Sequence, residues 1–193
     1  DTSYRVLRHA IPEPFQADIE AISVVVTHER ETLFVTNLYV PQGNVPHIVL
    51  EQIRSEAAAS PHLLVGDLNV HSPAWDSFIA EGTNGHNLCA YLISNGYSIA
   101  NDPTIPTRAA MTSRGNIQSS PDVTSSAGCV VTGWTTDVTL HSDHNQIHYD
   151  VAFGDLILPE ESMQHAPLRT HYSWKKADWN KFQRKISLTS MVL

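Results

Sequence analysis

"LLVGDLNVHSPAWD", residues 63–76, is the stretch from which the fold is read. Leu63, Leu64 and Val65 follow the loop former Pro61 and run into Gly66. A short apolar run bounded in this way reads as a strand covered on both faces. Asp67 and Asn69 then stand at its carboxyl end. A carboxylate there must meet a cation, a donor or water, because burying it alone is costly. In open α/β sheets, ligands gather beyond the carboxyl ends of the strands. Asp67 is a candidate site residue on position alone.

Working outward, "IEAISVVV" and "TLFVTNLYVP" flank the polar turn "THERE" and predict a hairpin of Ile22–Val26 with Leu33–Val40. Residues 47–59, "HIVLEQIRSEAAA", carry Ile48, Ile53 and Ala57 at helical intervals and predict a surface helix. A second helix is expected over 85–94, with Leu88, Tyr91 and Leu92 on one stripe and Asn95-Gly96 as its stop signal. "YSIAN" reads as a short strand and residues 102–121 as a polar loop. "PDVTSS", "WTTDVTL" and "QIHYDVAF" read as strands. Residues 155–172 resemble a linker, and Trp174, Trp179, Phe182 and Ile186 suggest an amphipathic helix belonging to another domain or chain.

A chain of 193 residues with 41% hydrophobic content suits one domain with a tail. No apolar run approaches the roughly 20 residues that span a bilayer, and no leader-like segment opens the chain. A membrane partner is not expected. Cys89 and Cys129 form no disulfide framework and no metal-ligand pattern, a mild sign of a reducing compartment. The formal charge of −8 argues against a generally basic nucleic-acid binder. A divalent cation held by clustered acids would still let such a chain accept a phosphodiester.

Four clusters end or follow apolar segments: Asn37 with Tyr39, Asp67 with Asn69, Asp122, and Ser142-Asp143-His144. Each has an ordinary alternative. Asp67 and Asn69 could cap a turn, Asp122 could be a turn residue after Pro121, and His144 and Tyr39 could be core residues. Together they offer more. A phosphodiester hydrolase needs a base near a water, positive charge for the transition state, and neutral donors that place the phosphate. His144 beside Asp143 supplies an imidazole whose tautomer a carboxylate can set. Asp67 with Asn69 supplies an anionic acceptor and an amide.

"NLYVP", "GDLNVHSPAWD", "PTR", "SSPDVT" and "SDHNQI", in this order, resemble the endonuclease/exonuclease/phosphatase superfamily. The likeness is strongest to the apurinic-like endonuclease domain of non-LTR retrotransposons of the trypanosome type. It covers about residues 1–153. The tail "YSWKKADWNKFQ" is similar to the segment joining such a domain to a downstream reverse transcriptase. The resemblance implies a DNase-I-like α/β (α+β) fold, a two-sheet β-sandwich flanked by helices. It also implies a domain over 1–153 followed by a linker and the start of a leading segment over 154–193.

By position, the resemblance implies that Asp67 aligns or deprotonates the attacking water and Asn69 binds the scissile phosphate. His144 would contact that phosphate, Asp122 would orient the imidazole, and Tyr39 would touch the phosphate. Asp143 would lie in the metal region, with Thr107 and Ser142 as supporting polar contacts. The cofactor implied is Mg²⁺ or Mn²⁺ and the partner DNA, nicked to prime reverse transcription in the nucleus or cytoplasm. In the family an asparagine and a metal-binding glutamate precede the "NLYVP" strand. Asp1 begins after that place, and Glu13 and Glu20 read as surface charge. The resemblance therefore implies an N-terminally truncated copy lacking the first strands and inactive alone. A catalytically dead remnant acting as a binding module is the alternative, and a phosphoinositide or abasic-site substrate the third reading.

Overall fold

The computed structural model describes residues 2–8, 11, 19–113, 115–139 and 142–154. The linker and amphipathic helix expected beyond residue 154, and Glu13, lie outside the described residues.

The expected hairpin forms between β2 (Glu20–His28) and β3 (Glu31–Tyr39), paired antiparallel from Glu20↔Tyr39 to His28↔Glu31. Its tight turn puts Glu29 at φ 56°. A strand that the periodicity did not predict, β1 (Thr2–Arg8), pairs with β2 on the outer edge. From β3 the chain crosses through α1 (His47–Ala57), which buries Val49, Leu50, Ile53 and Ala57, and returns as β4 (His62–Asp67), parallel to β3. A parallel pair needs such a crossover.

After β4, residues 68–82 form a loop leading into α2 (Thr83–Ser94), which buries Gly85, Leu88, Tyr91 and Leu92. The Asn95-Gly96 stop acts as expected. Gly96 takes φ 77°, and the Tyr97 N–H returns to the Leu92 carbonyl at 2.9 Å. β5 (Ser98–Ile99) pairs with β8 (Asp122–Ala127), and β8 runs antiparallel to β4. The main sheet has the order β1-β2-β3-β4-β8-β5.

β4 is covered on both faces, as its apolar run requires. Leu63 and Leu64 point to opposite sides and are 2% and 3% exposed. Leu64 joins Leu38, Val123 and the apolar residues of both helices in the core. On the other face, the antiparallel pair β9 (Cys129–Asp137) and β10 (Gln146–Phe153) lies against the sheet, where Trp134 Nε1 donates to Thr124 Oγ1 at 3.1 Å. The architecture is the expected sheet-dominated α+β fold.

One expectation is corrected. Residues 102–121 are not wholly loop: β6 (Arg108–Thr112) and β7 (Gly115–Ser119) form an antiparallel hairpin. Its outward side chains, including Met111 and Ile117, are largely exposed. With no face to bury, it shows no alternating apolar pattern, and only its backbone ladder defines it. A buried polar chain was also unforeseen. Ser23, Thr36, His62 and Tyr97 are linked side chain to side chain at 2.6, 2.8 and 2.6 Å, so the polar groups at the far end of β4 are satisfied. Burial pushes the Tyr97 hydroxyl up to about 12. Among the described residues, no helix is long and apolar enough to cross a membrane.

Candidate active site

The site is built at the carboxyl end of β4. Asp67, the last residue of that strand, is in register with Tyr39 on β3 and with Asp122 on β8. Residues in register across a sheet present their side chains on one face. Tyr39, Asp67 and Asp122 therefore form a row on the face covered by β9 and β10.

Gly66 makes this row possible. A Cβ there would meet the Leu38 carbonyl oxygen at 1.9 Å, and its φ of +144° is one that side chains rarely adopt. Beyond Asp67 the chain turns sharply. Asn69 takes φ 49°, a conformation asparagine tolerates better than most residues. The Asn69 N–H donates to Asp67 Oδ1 at 3.2 Å, and its Nδ2 donates to the Val40 carbonyl at 3.3 Å. Gly43 leaves room for this turn, since a Cβ on it would lie 2.3 Å from the Asn69 carbonyl oxygen.

His144 arrives from the connection between β9 and β10. That connection is pinned to the start of β6. The Ala109 N–H donates to the Asp143 carbonyl at 2.8 Å, and the Asn145 N–H donates to the Thr107 carbonyl at 2.7 Å. Thr139 Oγ1 donates to the His144 carbonyl, and Ser142 Oγ accepts from the His144 N–H at 3.0 Å. Ser142 thus shapes the turn.

The imidazole lies between two carboxylates. Nδ1 is 2.9 Å from Asp122 Oδ2, and Nε2 is 3.9 Å from Asp67 Oδ2. Thr107, fully buried, donates through Oγ1 to the same Asp122 oxygen at 2.7 Å. Asp122, rather than the neighbouring Asp143, is the carboxylate that orients the imidazole. With Nδ1–H directed to Asp122, Nε2 is left facing Asp67. Asp67 is held above the usual carboxylate range, first by burial and then by the charge of Asp122. His144 and the Asn69 hydrogen bonds pull the other way.

Asp67, Asp122 and His144 each offer a ligand atom within 4.8 Å of the others, and so form a group that could hold a divalent cation. Neither carboxylate has a Lys or Arg ion-pair partner among the described residues. Asp143 stands apart: its Oδ2 is 2.7 Å from both Nε and Nη2 of Arg108. That guanidinium keeps the Asp143 carboxyl below its ordinary range. Tyr39 is 42% exposed.

Two supports were not singled out from the sequence. Asn101 Nδ2 donates to the Asp122 carbonyl at 2.9 Å, and its Oδ1 accepts from the Thr124 N–H at 2.7 Å. Asp76 accepts from the Ser120 N–H at 2.9 Å, two residues before Asp122. A signal for Asp76 was present: it directly follows Trp75, and a carboxylate beside a buried aromatic needs donors.

A model of the family described as endonuclease-reverse transcriptase matches residues 33–148. No curated protein matches the chain significantly. Among solved structures, the chain is similar to the endonuclease domain of TRAS1, a telomere-specific non-LTR retrotransposon. The identity is 23% over 77% of this chain and 68% of that one, with a TM-score of 0.60. It is also similar to a functionally unknown conserved protein from Enterococcus faecalis V583, at 18% identity over 80% of this chain and 66% of that one, with a TM-score of 0.50. Similarity to the inositol polyphosphate 5-phosphatase domain of spSynaptojanin covers 54% of that chain and 78% of this one, at 12% identity and a TM-score of 0.49. The chain thus spans about half to two thirds of the length of these structures, and the likeness is one of fold.

Proposed function

Because the chain belongs to the endonuclease-reverse transcriptase family of the endonuclease/exonuclease/phosphatase superfamily, we propose that it is a divalent-metal-dependent phosphodiesterase that nicks DNA. The observation that carries the reading is His144 held between Asp122 and Asp67, at 2.9 and 3.9 Å. In the proposed reaction, Asp67 takes the proton of the attacking water. In the metal-free chain burial and Asp122 raise its proton affinity, and a cation bound beside it would draw that affinity down again. Asp122 accepts the His144 Nδ1–H and fixes the ring, and in the imidazolium form Nε2–H donates to a phosphoryl oxygen. Thr107 holds Asp122 in turn. Asn69 commits one amide hydrogen to Val40 and has the other for the same phosphate, and the Tyr39 hydroxyl adds a neutral contact.

Two facing carboxylates with no Lys or Arg partner among the described residues are hard oxygen donors suited to Mg²⁺ or Mn²⁺. Asp67 and Asp122 would hold that ion, and when bound it neutralises charge on the phosphoryl oxygens. Asp143 is assigned a different task, anchoring the His144 turn through Arg108. The family membership supports DNA as the substrate and a reverse transcriptase as the companion domain, with an intracellular place of action.

The test is nicking of supercoiled plasmid by the full chain in Mg²⁺ or Mn²⁺. Activity should be abolished by a chelator and reduced by at least about 10²-fold in His144→Ala and in Asp67→Ala, the scale of a lost acid–base group. Nicking that survives both substitutions would overturn the reading. DNA binding without nicking would favour a binding module of the same fold.

A further inference from the structure

A second carboxylate–imidazole pair stands at the same end of the sheet. The Asp76 side chain is fully buried, and its Oδ2 lies 2.7 Å from His71 Nδ1. The pair resembles His144 with Asp122 in distance, and the two are joined by a short piece of backbone. Asp76 Oδ2 also accepts from the Ser120 N–H, and Ser120 precedes Asp122 by two residues.

Asp76 does not need the imidazole to be satisfied. Its Oδ1 accepts from the Phe78 and Ile79 N–H groups at 2.8 and 3.3 Å, and its Oδ2 accepts from Ser120 at 2.9 Å. Three backbone donors already serve it. The effect of the contact falls on His71: its proton is directed to Nδ1 and its ring is held in one orientation. The side chain is 28% exposed, and Nε2 has no partner among the described residues. His71 follows Asp67 by four residues, so its Cα lies within about 14 Å of that of Asp67. At a rise of roughly 3.4 Å per nucleotide, that is a reach of a few nucleotides.

Resting on the phosphodiesterase reading above, we propose that His71, oriented by Asp76, is a second phosphate contact, binding a DNA phosphodiester a few nucleotides from the one cleaved. With Nδ1–H committed to Asp76, contact with a phosphate oxygen calls for the imidazolium, whose Nε2–H is a charged donor of the kind that fits it. The role is to bind and register the strand, not to take part in the bond change.

The experiment compares the full wild-type chain with His71→Asn, which keeps a donor near Asp76 and removes the Nε2 end, using a short DNA duplex. The KM for nicking should rise about tenfold, the scale of one charge-assisted hydrogen bond, with kcat and Tm little changed. The dependence of log Kd on log salt should lose about 0.9 from its slope, one phosphate contact. His71→Lys, which returns a positive charge, should restore the slope. If His71→Asn lowers kcat or Tm and leaves the salt slope unaltered, His71 is structural and the proposal falls while the phosphodiesterase reading stands. A wild-type chain that neither binds nor nicks DNA overturns both.

Discussion

Asp67 and Asp122 face each other across neighbouring antiparallel strands, carboxylate opposite carboxylate, with the His144 imidazole spanning the two. Like charges directly opposite in a sheet are destabilising. Burial and the facing Asp122 raise the proton affinity of Asp67, and the fold gives up stability to hold the two carboxylates together.

That trade can be measured. The folded chain binds the Asp67 proton more tightly than the unfolded chain does. The Asp67 contribution to stability is therefore fully present below its unfolded range, at acid pH, and lost as pH rises through the raised folded value. Asp67→Asn should raise Tm at neutral pH while nicking falls by about 10²-fold or more. A lower Tm at pH 7 would show that the ionised carboxylate stabilises the fold.

A divalent cation should offset the same repulsion. Mg²⁺ or Mn²⁺ binding the folded chain alone stabilises it by about 2.7 kcal/mol at a hundredfold excess over Kd. Thermal scans should show the rise in wild type and not in the Asp67→Asn, Asp122→Asn double variant. An equal rise in both would put the ion at another site.

Arg108 and Asp143 form an exposed pair whose expected role is to hold the turn of His144. Arg108 lowers the Asp143 pKa, so the contribution of the pair is present above the unfolded range of Asp143 and lost as pH falls through the folded value. In Arg108→Ala, the Asp143 carboxyl signal should titrate nearer the ordinary range by NMR. Nicking should drop with little change in Tm. Unchanged kcat would remove Asp143 from any part in positioning His144.

Two substitutions test the scaffold. Trp75 is fully buried, with its Nε1 donating to the Val70 carbonyl at 3.1 Å, and Trp75→Ala should cost about 3–5 kcal/mol in denaturant unfolding. Gly66→Ala would drive a methyl into the Leu38 carbonyl oxygen at 1.9 Å. Backbone cannot yield as a side-chain tip does, so the β3–β4 pairing should be lost and the chain recovered insoluble or unfolded. A soluble Gly66→Ala chain with wild-type circular dichroism would show that β3 and β4 can separate.

The sequence by itself determined the elements that bury a face: the β2–β3 hairpin, both helices and the doubly covered β4. Burial imposes a period on the chain, and a period is a local signal. It also placed Asp67 at the end of β4, because an apolar run followed by an acid has one simple reading. The β6–β7 hairpin left no such mark, since its outward side chains bury little. The site was legible as separate fragments. Only the tertiary structure decided how Asp122, which the resemblance implies as the partner of His144, reaches it: strand register and the pinned β9–β10 connection bring the two together, while the adjacent Asp143 turns to Arg108. It likewise decided that Asp143 pairs with Arg108 and that Asp76 tethers His71 to the backbone before Asp122. These are contacts between residues 5 to 44 positions apart. They are set by which strands pair and where loops are pinned, and no local pattern encodes such pairings.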